Sequence, residues 1–198
     1  LKELPRSFGR LSSLTVLILV RCANLNHLPD DIRNLSALVR IEFQGSMLSG
    51  GSIFLVSIPC RYIKLVKKIS SEWCRDVRNL PKRLVEFTNL RCLDIYGWSS
   101  LERLPEGFGQ LKSLADLSMQ WCSSLQELSS DFHCLPSLQT LNLQWCEVLQ
   151  GKWMDRVVLI KTLELVNIVG SPLLVHRWAE MAEGGESWRF AVKAGYDQ

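Results

Sequence analysis

Residues 104–149 read LPEGFGQLKSLADLSMQWCSSLQEL followed by SSDFHCLPSLQTLNLQWCEVL, and the second segment repeats the first at a shift of 24. Phe108 falls on Phe132, Leu111 on Leu135, Leu114 on Leu138 and Leu117 on Leu141. Met119 falls on Leu143, Cys122 on Cys146 and Leu125 on Leu149. Self-similarity at a period of this size marks a repeat architecture. Working outward, a backward step of 24 recovers Leu84, Phe87, Leu90, Leu93, Ile95, Trp98 and Leu101. The N-terminal copy holds Leu4, Pro5, Phe8, Leu11, Leu14, Leu17, Leu19, Cys22 and Leu25. Its successor holds Leu28, Pro29, Ile32, Leu35, Leu38, Ile41, Phe43 and Ser46.

Two copies are degenerate. One runs from Val56 through Cys60, Ile63, Val66, Ile69, Ser71, Cys74 and Val77, with polar Ser71 at a core position. The step from Leu28 to Val56 is 28, which predicts an insertion within GSMLSGGSIF (residues 45–54). The other holds Ile160, Leu163, Val166, Ile168 and Ser171 and needs one extra residue near 151–156. Coil starts are expected near 4, 28, 56, 80, 104, 128 and 153, irregular at 46–79 and 150–171.

Within each copy the apolar period changes. Leu117 and Met119, like Leu141 and Leu143, alternate as a strand does, whereas the Leu11, Leu14 spacing belongs to a turn or short helix. Each coil has one apolar edge that it cannot bury alone, so neighbours must stack. Stacked strands about 4.8 Å apart form a parallel sheet, and the wider helical side curves the stack with that sheet inside. The expected fold is an α/β repeat: a leucine-rich-repeat solenoid of about seven coils over 1–171. A helical cap is expected over 172–198, where Leu174, Trp178 and Met181 or Ala182 share a helical face ended by Gly184 and Gly185. Trp178, Trp188, Phe190 and Val192 suit the covering of the last coil.

The form LxxLPxxfgxLxxLxxLxLxxCxxL, with Cys where many leucine-rich repeats carry Asn, resembles the repeat region of plant nucleotide-binding leucine-rich-repeat disease-resistance proteins. LERLPEGFGQLKSLADLSMQWCSSLQEL (residues 101–128) is particularly similar. The resemblance covers residues 1–150 well and 151–171 loosely. It implies a recognition or regulatory module of an immune receptor in defence signalling. The partner it implies is a protein, either a pathogen-derived ligand or the switch domain of a longer chain. The nucleotide-binding domain of that family has no counterpart here. A stand-alone scaffold binding a small GTPase or another signalling protein is the alternative.

Composition sets the boundaries of function. The chain is 198 residues, 47% hydrophobic and 22% charged, with net charge +3, too weak a balance to indicate a nucleic-acid or acidic-membrane partner. No apolar run reaches a bilayer-spanning length. Seven cysteines without a CxxC pair form neither a disulfide framework nor a zinc site, so reduced thiols in a cytoplasmic or nuclear setting are expected. No cofactor, metal or catalytic residue is assigned. The column of Cys22, Cys74, Cys122 and Cys146, in register with Ser46 and Ser171, is read as a buried corner donating to backbone carbonyls, because neither His27 nor His133 shares it. GSMLSGGS (residues 45–52) lacks the Lys that a phosphate loop needs. The sequon Asn34-Leu35-Ser36 has its middle residue at a core position.

Function is expected on the concave face, where side chains between the buried leucines point outward. The first coil offers Val16, Ile18, Val20 and Arg21 there. The binding set begins with Arg40, Glu42 and Gln44, then Lys68, Glu72 and Trp73 beside Ser70, then Asp94 and Tyr96 beside Cys92. It continues with Asp116, Ser118, Gln120 and Trp121, and ends with Thr140, Asn142, Gln144 and Trp145. Trp73, Trp121 and Trp145 share one column. They are either interface anchors or covers lying over the neighbouring coil.

Overall fold

The computed structural model describes residues 3–20, 22, 25, 29–44, 66–73, 75, 77–184 and 189–195, with only the backbone described at Asp30, Arg33, Phe43 and Gln44. The expected insertion at 45–54, the coil start at 56, and Leu28, Ser46, Cys60, Ile63, Cys74 and Trp188 lie outside the described residues.

Among the described residues, eight parallel strands lie in chain order in a single open sheet. They are β1 (Val16–Val20), β2 (Arg40–Gln44), β3 (Lys68–Ser71), β4 (Cys92–Asp94), β5 (Asp116–Ser118), β6 (Thr140–Asn142), β7 (Leu165–Asn167) and β8 (Ala191–Lys193). The register reproduces the repeat arithmetic. Val16 faces Arg40, Cys92 faces Asp116 and Asp116 faces Thr140, steps of 24. Arg40 faces Lys68 across the 28-residue step, and Thr140 faces Leu165 across a step of 25.

Opposite the sheet, short 3-10 turns start where proline fixes φ. Pro5, Pro29 and Pro81 sit at φ −65, −62 and −64, just before the turns Arg6–Arg10, Asp30–Asn34 and Lys82–Glu86. Each proline carbonyl then accepts the amide three residues on, from Phe8, Ile32 and Leu84. Between turns and sheet lies one continuous apolar core. Leu93 and Leu141 are 0% and 1% exposed, and the Phe108 and Phe132 rings stack at 6.1 Å. The extra residue of the seventh coil is absorbed by a 3-10 turn, Gly151–Trp153, running into the helical turn α1 (Met154–Val157).

From Trp98 onward the corner column ties each coil to the one before it. Trp98 Nε1 donates to the Ser71 carbonyl at 3.1 Å, Cys122 Sγ to the Ile95 carbonyl at 3.5 Å, and Cys146 Sγ to the Met119 carbonyl at 3.1 Å. Ser171 Oγ donates to the Leu143 carbonyl at 2.6 Å and accepts from the Cys146 amide at 2.9 Å. Burial pushes the Cys146 thiol up to about 12 and raises Cys122 well above the ordinary thiol range, so both remain protonated donors.

The expected helix is present as α2 (Pro172–Glu183), with Leu174 and Met181 buried, Ala182 exposed and Gly184 at its C-cap. The chain then does something that the helical spacing did not disclose. It returns to the sheet as β8, pairing with β7 so that Leu165 faces Ala191. The terminal segment is thus a helix followed by an eighth strand, with Phe190 buried beside it.

Two variants test this packing. Leu117, 1% exposed, replaced by Asp should remove about 4 kcal/mol or more and melt several coils, since the introduced charge has no buried partner. A far-ultraviolet melt matching the parent would show the register to be wrong. Ser171→Ala should lower stability in urea by about 2–4 kcal/mol, because two buried backbone groups lose their partner, and Ser171→Cys should recover part of that.

Candidate functional site

Lateral pairing of the strands lines up the outward residues in rows that cross the coils. The first row runs Arg40, Lys68, Cys92, Asp116, Thr140 and Leu165. The second runs Glu42, Ser70, Asp94, Ser118, Asn142 and Asn167. Just past the strands come Glu72, Tyr96, Gln120 and Gln144, and then the tryptophan column. The structure therefore brings the expected residues onto one face, with the side chain of Gln44 and all of Arg21 outside the described residues.

Exposure along the rows is uneven. Asp116 is exposed and accepts from Thr140 Oγ1 at 2.6 Å. Arg40, Lys68, Ser118, Gln120, Thr140 and Gln144 are half-buried. Glu42 departs from expectation: it is 7% exposed, because Arg40 Nε at 2.7 Å and Lys68 Nζ at 3.7 Å close over its carboxylate. Ser70 is buried too. Both sit where the surface reading placed solvent-facing groups, and strand alternation alone does not reveal that neighbouring side chains fold across them.

Three members of the second row also shape the backbone. The Asn142 Oδ1 accepts the Gln144 amide at 3.2 Å, and Asn167 Oδ1 accepts the Val169 amide at 3.3 Å. The Asp94 carboxylate faces the amide of Tyr96 in the same way and lies beside the Ser118 hydroxyl, both of which favour its charged form, while its buried Oδ1 has no hydrogen-bond partner among the described residues. A short side chain bonding two residues on is an Asx turn, which ends the strand. Asp94 is half-buried, and desolvation raises its carboxyl above the usual range despite both. Glu72 is raised as well, first by desolvation and then by Asp94 and Glu42. The middle of the face thus holds carboxylates that solvent stabilises poorly.

After this turn the chain enters the left-handed region. Trp73, Trp121 and Trp145 have φ of 59, 60 and 58, and Gly97 and Gly170, at the same place in their coils, have φ of 72. The conformation suits glycine and costs a side-chain-bearing residue about 1 kcal/mol. It also aims the preceding amides along the stack: Trp73, Gly97, Trp121 and Trp145 donate to the carbonyls of Tyr96, Gln120, Gln144 and Val169 at 2.7–3.0 Å. Each indole leans onto the next coil. A Cβ on Gly97 would lie 2.6 Å from Trp73 Cε3, and one on Gly170 would lie 2.5 Å from Trp145 Cδ2. Trp121 stacks on Trp145 at 4.9 Å and 17°, and Tyr96 meets Trp73 edge-on at 5.0 Å. The rings do cover the neighbouring coil, yet Trp73 and Trp121 keep 41% and 38% of their surface exposed. Sequence reasoning missed Arg75, whose guanidinium lies 5.6 Å over Trp73, and the two glycines that seat the indoles. The glycines were legible, since Gly97 is 24 residues after Trp73.

Chemistry elsewhere is sparse. A thiol and an imidazole do meet, Cys134 Sγ and His133 Nε2 at 3.5 Å, on the convex turn Phe132–Cys134. Among the described residues the other ring nitrogen, Nδ1, has no hydrogen-bond partner, so no orienting third group of a nucleophile–base set is seen there. A cleft of about 280 Å³ lies between residues 126–132 and 150–156, lined by Leu128, Phe132, Trp153 and Arg156. Among the described residues, no group of three or more His, Cys, Asp and Glu is placed to hold a metal ion, and no helix is long and apolar enough to cross a membrane.

No protein-family model matches the chain, and no curated protein does. Solved structures match well in shape. The leucine-rich-repeat domain of the type III effector XopL superposes with a TM-score of 0.67 at 17% identity, covering 98% of this chain and 73% of that one. A leucine-rich-repeat protein of Leptospira interrogans superposes with a TM-score of 0.61 at 23% identity, covering 89% of this chain and 44% of its own length. At these identities the likeness shows the fold, and it agrees with the strand register: the chain is a leucine-rich-repeat solenoid.

Proposed function

We propose that the chain is a protein-binding module that takes its partner on the concave face, as the recognition or regulatory region of a resistance-type plant immune receptor. One observation carries the binding reading. Half-exposed aromatics, Trp73, Tyr96, Trp121 and Trp145, run beside Asp116, Gln120, Thr140 and Gln144 on a rigid parallel sheet. Large aromatic side chains beside polar groups with hydrogen-bonding capacity left over are the composition of interface anchors, and their lost rotamer freedom on binding is small. Stacking fixes the rings before a partner arrives, which lowers the cost of association further. The face is broad and open, better suited to a protein surface than to a small molecule.

The immune-receptor assignment rests on the repeat form LPEGFGQLKSLADLSMQWC and its Cys corner. The five described cysteines are unpaired, which goes with a reducing cytoplasmic or nuclear setting. The partner is then a pathogen-derived protein or the switch domain of a longer parent chain.

The test uses Asp116→Arg, Trp121→Ser and, on the convex side, Lys112→Glu, each compared with the parent in melting and in capture of partners from a plant lysate. Asp116 is exposed, so its reversal should lower the melt only slightly, through loss of the Thr140 hydrogen bond, and weaken capture by about thirtyfold, the loss of roughly 2 kcal/mol typical of an interface anchor. Trp121→Ser should weaken capture similarly and also lower the melt, since it removes the stack on Trp145. Capture undiminished by Asp116→Arg and Trp121→Ser, or lost on Lys112→Glu, would place binding off the concave face.

A further inference from the structure

The cleft between residues 126–132 and 150–156 has a structural cause. Earlier coils approach their convex turns in an extended step, where Asn79, Arg103 and Glu127 bridge in parallel from coil to coil. Among the described residues that ladder stops at Glu127. The step to the next strand is 25 residues, from Thr140 to Leu165, and the chain winds its approach into the turn Gly151–Trp153 and α1. The two segments draw apart there, and about 280 Å³ opens between them.

Part of the lining is apolar. Leu128, Phe132 and Trp153 contribute to it, with the Phe132 and Trp153 rings edge-on at 6.4 Å. Trp153 stands where earlier coils carry Leu80, Leu104 and Leu128, so a flat ring with an N–H replaces an aliphatic side chain. The rest of the lining is rich in donors. Trp153 Nε1 and Ser129 Oγ are buried and have no hydrogen-bond partner among the described residues. An indole N–H can only donate, and a hydroxyl turns its hydrogen toward whatever acceptor is offered. A buried donor without an acceptor is costly, and an acceptor brought from outside the chain relieves that cost.

Two cations join these donors. Arg156 is anchored through Nη1, which donates to the Ser130 carbonyl at 2.9 Å, a bond that uses one of the five guanidinium N–H groups. Lys152 is exposed beside it. Against them the lining carries a single carboxylate, Glu127.

We propose that this cleft binds a small organic anion, a flat aromatic ring bearing one carboxylate or phosphate group. The ring lies against Leu128, Phe132 and Trp153. The anionic oxygens take the donors of Ser129, Trp153 and Arg156, whose guanidinium fork matches either head group. Lys152 adds charge without fixing orientation. The volume lies just under the range of drug-sized ligands, roughly 300–1,000 Å³, and is far too small for a folded partner. None of the concave residues lines the cleft, so the site is separate from the protein-binding face.

Titration of the 198-residue chain, followed through its amide NMR shifts, tests this with benzoate, phenyl phosphate and benzyl alcohol as probes. Saturable binding of benzoate or phenyl phosphate is expected, with shifts centred on residues 126–132 and 150–156. The tighter of the two names the head group, and neutral benzyl alcohol should bind about tenfold more weakly. Trp153→Phe keeps a ring and removes the N–H, and should weaken the tighter anion about tenfold while the chain still melts cooperatively. Lys152→Gln should weaken it about threefold without moving the melt, because Lys152 is exposed. Failure of both anions to saturate overturns the proposal, as does benzyl alcohol binding equally well. Affinity unchanged by Trp153→Phe overturns it too, and so do shifts that map to the concave face. Inorganic phosphate binding as tightly as phenyl phosphate overturns the part given to the aromatic wall.

Discussion

From the third strand onward, a carbonyl facing inward at the corner of each coil has to find a donor, and the stack rests on how that need is met. The carbonyls of Ser71, Ile95, Met119 and Leu143 lie at or just past the ends of their strands, where the coil bends into the core. Water does not reach these groups, and a buried backbone acceptor left bare costs about 1–3 kcal/mol. The next coil supplies the donor from one fixed position. Indole, thiol, thiol and hydroxyl all serve, so the position selects for a hydrogen on a small or flat side chain rather than for one residue type. Once that bond is fixed, the spacing of coils, the register of the sheet and the rows across the concave face follow.

Most of this was legible because the sheet and the sequence share a period. A strand residue pairs with its equivalent one coil on, so the offset of 28 between Arg40 and Lys68 and of 25 between Thr140 and Leu165 is the same number in the chain and in the register. Burial of Leu93, Leu117 and Leu141 is likewise a direct reading of periodicity. The strand at Ala191 was not legible. Three residues with one alternation carry too little pattern, and the helical spacing of the preceding segment, which is real, drew the reading toward a helix alone.

The candidate site was legible in place but less so in chemistry. Alternation puts Glu42, Asp94 and Asn142 on the concave side, and there they are. It does not say that Arg40 and Lys68 shield Glu42, because that ion pair crosses between strands whose lateral contacts exist only once the coils stack. Nor does it say that the Asn142 oxygen is engaged, and the Asp94 carboxylate faced, by amides two residues on. The tryptophan column posed a choice between anchor and cover; the rings do cover the neighbouring coil, and the surface they keep exposed is what the anchor reading is built on. One side of each ring lies on the next coil while much of Trp73 and Trp121 stays in solvent.

That column has a further consequence for how such a protein can change. An indole at one coil occupies the space that a side chain at the following coil would need: Trp73 fills the place over Gly97, and Trp145 the place over Gly170. Size at one coil therefore dictates size at the next, and a large residue is admitted only where its successor is bare or flat enough to stack. Positions 24 or 25 apart are bound into a grammar of neighbours. A drift at one of them is viable chiefly in company with its successor, so related chains should differ here by matched pairs rather than by single substitutions.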